Sequence, residues 1–94
     1  MITEQNWDSL KWKSRRGMRE IDLMLDPFVK NHLPQMSEEV FWEYNEFLDL
    51  SDLDLVRFLL RRQTPTLPLH VKIVNLILKC HQEDLEKGII PDGI

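Results

Sequence analysis

The segment Ile21-Asp22-Leu23-Met24-Leu25-Asp26-Pro27-Phe28-Val29 decides the fold class. Its apolar residues Ile21, Met24, Leu25, Phe28 and Val29 fall at i, i+3, i+4, i+7 and i+8. That spacing sets all of them on one face of a helix and matches no alternating strand. Pro27 removes one backbone donor inside the stripe. The pattern therefore predicts either a kink there or a restart with Asp26 as cap. Pro34 ends the segment.

The same periodicity extends outward on both sides. Upstream, Trp7, Leu10 and Ser14 share a face, and the first helix is expected to begin near Asn6 or Asp8, either of which can cap it. Gly17 is a natural stop or bend, because glycine takes a left-handed conformation cheaply. Downstream, Ser37 is placed to cap a third helix, with Glu38 and Glu39 in the first turn, where the macrodipole favours acids. Its stripe is Val40, Phe41, Tyr44, Phe47 and Leu48. Ser51 and Asp54 form a weak capping box for a fourth helix carrying Leu55, Val56, Phe58, Leu59 and Leu60, with Arg61 and Arg62 at its end. Gln63 to Pro68 reads as a loop, and Pro68 suits the first turn of a last helix. That helix carries Val71, Val74, Ile77, Leu78 and Leu85, widened by Ile73 and Leu76, and stops at Gly88. We read an all-α compact bundle of four to five short helices, one domain over residues 1–88 with a C-terminal tail at 89–94.

With 94 residues the chain has room for one thin core, which favours a surface function over an enclosed catalytic pocket. Cys80 is the only cysteine, so no intrachain disulfide forms, and the composition fits a reducing compartment. Met1 to Trp7 contains Glu4 and lacks a long apolar run, unlike a signal or transit peptide. A cytoplasmic, bacterial setting is expected ahead of the mitochondrial matrix, with no membrane span. The formal net charge of −4 hides segregation. Lys11, Lys13, Arg15, Arg16 and Arg19 have no acid among them; Glu38, Glu39, Glu43, Glu46, Asp49, Asp52 and Asp54 have no base among them. Either two electrostatic faces or two solvated helix surfaces produce this.

A catalytic constellation is not found. No glycine-rich phosphate loop is present. Cys80 and His81 are adjacent, but no second cysteine or close histidine completes a metal set; Cys80 reads as a small buried hydrophobe and His81 as a surface or rim residue. His32 and His70 stand alone. Of Ser9, Ser14, Ser37 and Ser51, two read as caps, and a helix N-terminus explains Asp52 and Asp54. The expectation is no enzyme, no catalytic residue and no metal. Trp12 sits in the basic segment and Trp42 lies off the stripe of its own helix; each is either a binding anchor or a cover for a neighbouring helix.

The stretch Trp12-Lys13-Ser14-Arg15-Arg16-Gly17-Met18-Arg19-Glu20-Ile21-Asp22 resembles the signature of the SdhE family, the succinate dehydrogenase assembly factors. The family motif R-G-x-x-E is here Arg16, Gly17 and Glu20, followed by Asp22 and an apolar run to Phe28. A second similar segment runs Phe47-Leu48-Asp49-Leu50-Ser51-Asp52-Leu53-Asp54-Leu55, then Phe58. The resemblance implies a five-helix FAD assembly factor, a chaperone that binds the flavoprotein subunit of succinate dehydrogenase and, in bacteria, that of fumarate reductase. It implies help in forming the covalent histidine–FAD bond, with FAD handled on the partner and none bound stably here.

The same resemblance implies a partner-binding set of Arg16, Gly17 and Glu20, then Asp22, with Arg15 and Trp12 beside them. Arg16 is expected to offer its fork to a partner carboxylate or carbonyl. Glu20 is expected to receive donors or to orient Arg16. The plain alternative is an intrahelical Arg16–Glu20 pair worth about 0.3–0.5 kcal/mol. Competing functions are an antitoxin-type regulatory module, a flavin-handling enzyme and a nucleic-acid binder. Overall acidity and the missing recognition motif count against nucleic acid.

Overall fold

Five α-helices follow one another: α1 (Glu4–Ser14), α2 (Arg19–Pro27), α3 (Glu38–Phe47), α4 (Asp52–Leu55) and α5 (Pro68–Glu86). The structure, a computed structural model, describes residues 1–88; the tail assigned to 89–94 lies outside the described residues. No strand occurs among the described residues.

Thr3, rather than Asn6 or Asp8, caps α1. Its hydroxyl accepts from the Asn6 amide at 3.1 Å, and the Asn6 side chain accepts from the Thr3 amide at 2.9 Å. Two orphan helix donors are thus satisfied reciprocally, with Asn in the place usually held by Glu or Gln. Ser37 and Ser51 cap α3 and α4 as expected, each hydroxyl accepting from the amide three residues on.

Pro27 neither restarts its helix nor leaves Asp26 as a cap. The helix runs through Pro27 into a π turn, Phe28–His32, and a 3-10 turn, Leu33–Gln35. Proline lacks the donor and crowds the carbonyl four residues back, and the wider turn follows directly. This path keeps Phe28, Val29 and Leu33 buried with Ile21, Met24 and Leu25. A second π turn, Val56–Leu60, continues α4 and buries Leu55 and Leu59.

These side chains meet Leu10, Phe41, Tyr44 and Phe47 in one core. Each large apolar group so buried contributes roughly 1.5–3 kcal/mol. Trp7 packs edge-on to Phe41, with centroids 4.8 Å apart, and Phe28 lies 5.1 Å from Tyr44. The inner face of α5 is rotated from the expected one. Ile73, Val74, Ile77, Cys80 and Asp84 are buried, while Val71, Leu76, Leu78 and Leu85 are only half-buried. The carboxylate of Asp84 takes a place on this face because His32 meets it there.

Candidate docking site

The chain leaves α1 at Arg15 and enters α2 at Arg19 through a turn centred on Gly17, whose φ is +70°. Glycine adopts this left-handed conformation without steric cost, and a non-glycine residue would lose roughly 1–2 kcal/mol. A Cβ at Gly17 would meet nothing within 4 Å. The position is thus open on its outer side, and backbone conformation alone accounts for glycine within the isolated chain.

Arg16 departs from the expected arrangement. Its guanidinium turns inward and crosses to the loop between α3 and α4. It donates to the carbonyl of Leu48, to that of Leu50 at 3.1 Å and to Asp52 at 3.3 Å. Leu48 is the C-cap of α3, where carbonyls lack intrahelical partners. Arg16 therefore caps α3 from a distance, and its charge sits where the helix dipole favours a cation. Only 15% of its side chain is exposed, so its fork is largely spent within the molecule. No Arg16–Glu20 helical pair forms, because Arg16 precedes the first residue of α2.

Asp22 closes the turn from the other side. One of its carboxylate oxygens accepts from the Arg16 amide at 3.1 Å. Lys13 adds a parallel tie, reaching the Asn45 carbonyl at 3.1 Å and Asp49 at 2.9 Å. Beneath these, the Ser14 and Tyr44 hydroxyls share a buried hydrogen bond of 2.7 Å. The two sequence segments singled out above are thus donor and acceptor sides of one junction.

The turn held in this way presents Trp12, Arg15, Gly17, Arg19 and Glu20 to solvent. Trp12 is 80% exposed, which makes it an uncovered indole rather than a lid on a neighbouring helix. Trp42, by contrast, packs edge-on to Phe41 at 4.9 Å and is half-exposed. Among the described residues Glu20, Arg15 and Arg19 make no ion pair. Such a face is suited to binding another macromolecule: an aromatic anchor, two unspent cations and a carboxylate around an open backbone.

Elsewhere the polar groups serve the fold. His32 Nε2 lies 2.9 and 3.0 Å from the two carboxylate oxygens of Asp84, a pair that joins the first π turn to α5. Cys80 is buried, and burial pushes its thiol above the ordinary range. Burial and then Arg62 hold the His81 imidazole below its ordinary value. Among the described residues no three His, Cys, Asp or Glu side chains come together as a metal set. No helix among them is long and apolar enough to cross a membrane.

A family model described as flavinator of succinate dehydrogenase matches residues 8–81. The chain is 34% identical over 71 residues to an FAD assembly factor SdhE of Legionella pneumophila, covering 76% of this chain and 89% of that protein. To the FAD assembly factor SdhE of Pseudomonas aeruginosa it is 32% identical over 84 residues, covering 89% of this chain and all 100% of that one. A Haemophilus ducreyi protein of the same description is 32% identical over 76 residues. No solved structure gives a significant match.

Proposed function

This chain belongs to the family of succinate dehydrogenase flavinators, and from that membership we propose that it docks the enzyme's flavoprotein subunit through the Gly17 turn while FAD is covalently attached there. One observation supports this choice of surface above the rest. The turn is fixed from beneath by Arg16 and Asp22, and its outer groups have no internal partners among the described residues. A rigid face with unspent polar groups binds without a large ordering cost.

Covalent attachment needs an acceptor histidine held against the flavin while charge on the ring is stabilised. The flavoprotein supplies both reacting groups, so this chain acts as a scaffold and not as a catalyst. It binds an immature form of the subunit more tightly than the finished one and so shifts the population toward the arrangement in which attachment occurs. Trp12 inserts as the apolar anchor. Arg15 offers the free guanidinium fork, and Glu20 accepts donors from the partner. Gly17 lets the partner backbone approach. Arg16 and Asp22 are positioning residues for this face. The fumarate reductase flavoprotein is a second client of the same surface, and the bacterial cytoplasm is the setting.

The test compares covalent flavin fluorescence of the flavoprotein subunit with and without this chain, beside a direct binding titration. Glu20→Ala lowers both flavinylation and binding while helical circular dichroism is unchanged. Normal binding and normal attachment with Glu20→Ala would remove this turn from the interface.

A further inference from the structure

Beside the Gly17 turn lies an open groove of about 680 Å³ between α1 and the segment that runs from α2 into its π turn. Lys11, Arg15 and Lys30 line it, together with Trp7, Pro34 and the single carboxylate Asp26. Its volume is within the range of ordinary binding clefts. All three cations are exposed and make no ion pair or side-chain hydrogen bond among the described residues. Lys13, Arg16, Arg57 and Lys72, in contrast, each reach a carboxylate. A chain with net charge −4 thus keeps a locally positive trough with an indole in its wall. Arg15 also lines a shallower recess with Trp12 and Arg16, so trough and docking turn are continuous.

We propose that this groove receives an acidic, extended segment of the flavoprotein subunit, its carboxylates meeting Lys11, Arg15 and Lys30 and an apolar side chain lying against Trp7 and Pro34. The proposal rests on the docking function above and adds a second contact to it, with a stated chemistry. Charge complementarity selects the occupant: three unspent cations attract carboxylates and steer encounter. Asp26 opposes that occupant. Burial first and Asp22 second raise its carboxyl above the ordinary range, and Arg15 partly offsets them.

The test titrates the flavoprotein subunit with the full chain at low and at physiological salt. Lys11→Glu and Lys30→Glu each weaken binding about three- to tenfold at low salt and flatten the salt dependence, the scale of one reversed charge contact. Asp26→Asn acts in the opposite direction and tightens binding. Lys79→Glu, exposed on α5, makes the same change in net charge and leaves binding unchanged. Equal weakening by Lys79→Glu would reduce the effect to net charge and overturn the groove. Normal binding by Lys11→Glu and Lys30→Glu, with Glu20→Ala impaired, would leave the groove unoccupied and the turn as the sole contact. If Glu20→Ala also bound normally, the docking surface itself would fall, and this proposal with it.

Discussion

Two of the polar ties in this small bundle solve different problems. Arg16 joins the turn between α1 and α2 to the loop after α3, and its acceptors are two backbone carbonyls and one half-exposed carboxylate. His32 and Asp84 join the first π turn to α5, and the Asp84 side chain is only 2% exposed. The first tie sits at a rim and spends a cation on groups that water could partly serve. The second encloses a carboxylate that has no such substitute. A rim tie can hold a surface in shape while its neighbours stay free for a partner. An enclosed tie serves cohesion, because burying an unmatched charge costs far more than exposing one.

The largest expected effect therefore belongs to the enclosed tie. His32→Ala leaves the Asp84 carboxylate buried without its partner and destabilises the chain by about 3 kcal/mol, readable as a fall of more than about 10 °C in thermal midpoint. Replacing both residues by leucine recovers most of that loss, since no unpaired charge remains. A midpoint for His32→Ala within a degree or two of the parent would place Asp84 in contact with water and erase the contrast.

Arg16→Ala is expected to cost less, about 1.5–2 kcal/mol, because the carbonyls of Leu48 and Leu50 regain some solvent. It lowers flavoprotein binding as well, through loss of the turn's shape. Glu20→Ala lowers binding and flavinylation without a loss of stability. A variant Arg16→Ala that kept its thermal stability yet failed to bind would show the guanidinium facing the partner, and the comparison of two internal ties would fall.

Much of the fold was legible in advance, and the remainder was hidden for identifiable reasons. The stripe from Ile21 to Val29, the caps Ser37 and Ser51 and the stops Gly17 and Gly88 follow from local periodicity and backbone preference. Thr3 gives no clear cap signal because Asn6 stands where Glu or Gln usually completes the box. The π turns were invisible, since a widened turn buries the same residue types as an α turn. Asp84 carries no local sign of burial, because its partner lies 52 residues away. The turn at Gly17 was readable as a candidate site, but not the direction of Arg16. An arginine ahead of a helix can face a partner or its own chain, and only the free carbonyls after α3 decide between them.

A smaller effect probes what lies beneath the rim tie. Tyr44 is the only tyrosine, and its hydroxyl is buried against Ser14. Burial pushes its phenol well above the ordinary range; the Ser14 bond and then Arg16 act the other way. The unfolded chain ionises this group near pH 10 and the folded chain does not. The contribution of Tyr44 to stability is therefore constant below about pH 10 and falls as pH rises beyond it, because only the unfolded state releases the proton. Tyr44→Phe is expected to cost about 1 kcal/mol at neutral pH by stranding the Ser14 hydroxyl, and to flatten the alkaline fall. Phenolate absorbance reads the parent directly: it should rise only with unfolding. Ionisation of Tyr44 in the folded chain would mean that solvent reaches beneath Arg16.

The smallest change in stability gives the sharpest question about the rim. Gly17→Ala forces a left-handed backbone on an ordinary residue and costs about 1 kcal/mol. Gly17→Asn costs only a few tenths, since asparagine tolerates that conformation. Neither side chain meets anything at the Cβ position within the chain. If glycine serves only to make the turn, flavoprotein binding follows stability, and the asparagine variant binds better than the alanine one. If the partner backbone lies against this turn, the order inverts: asparagine, the more stable variant, binds worse because it is larger. Binding titrations and thermal midpoints measured on the same two variants separate these cases. The inverted order is the one expected of a face that Arg16 holds in place for another protein to cover.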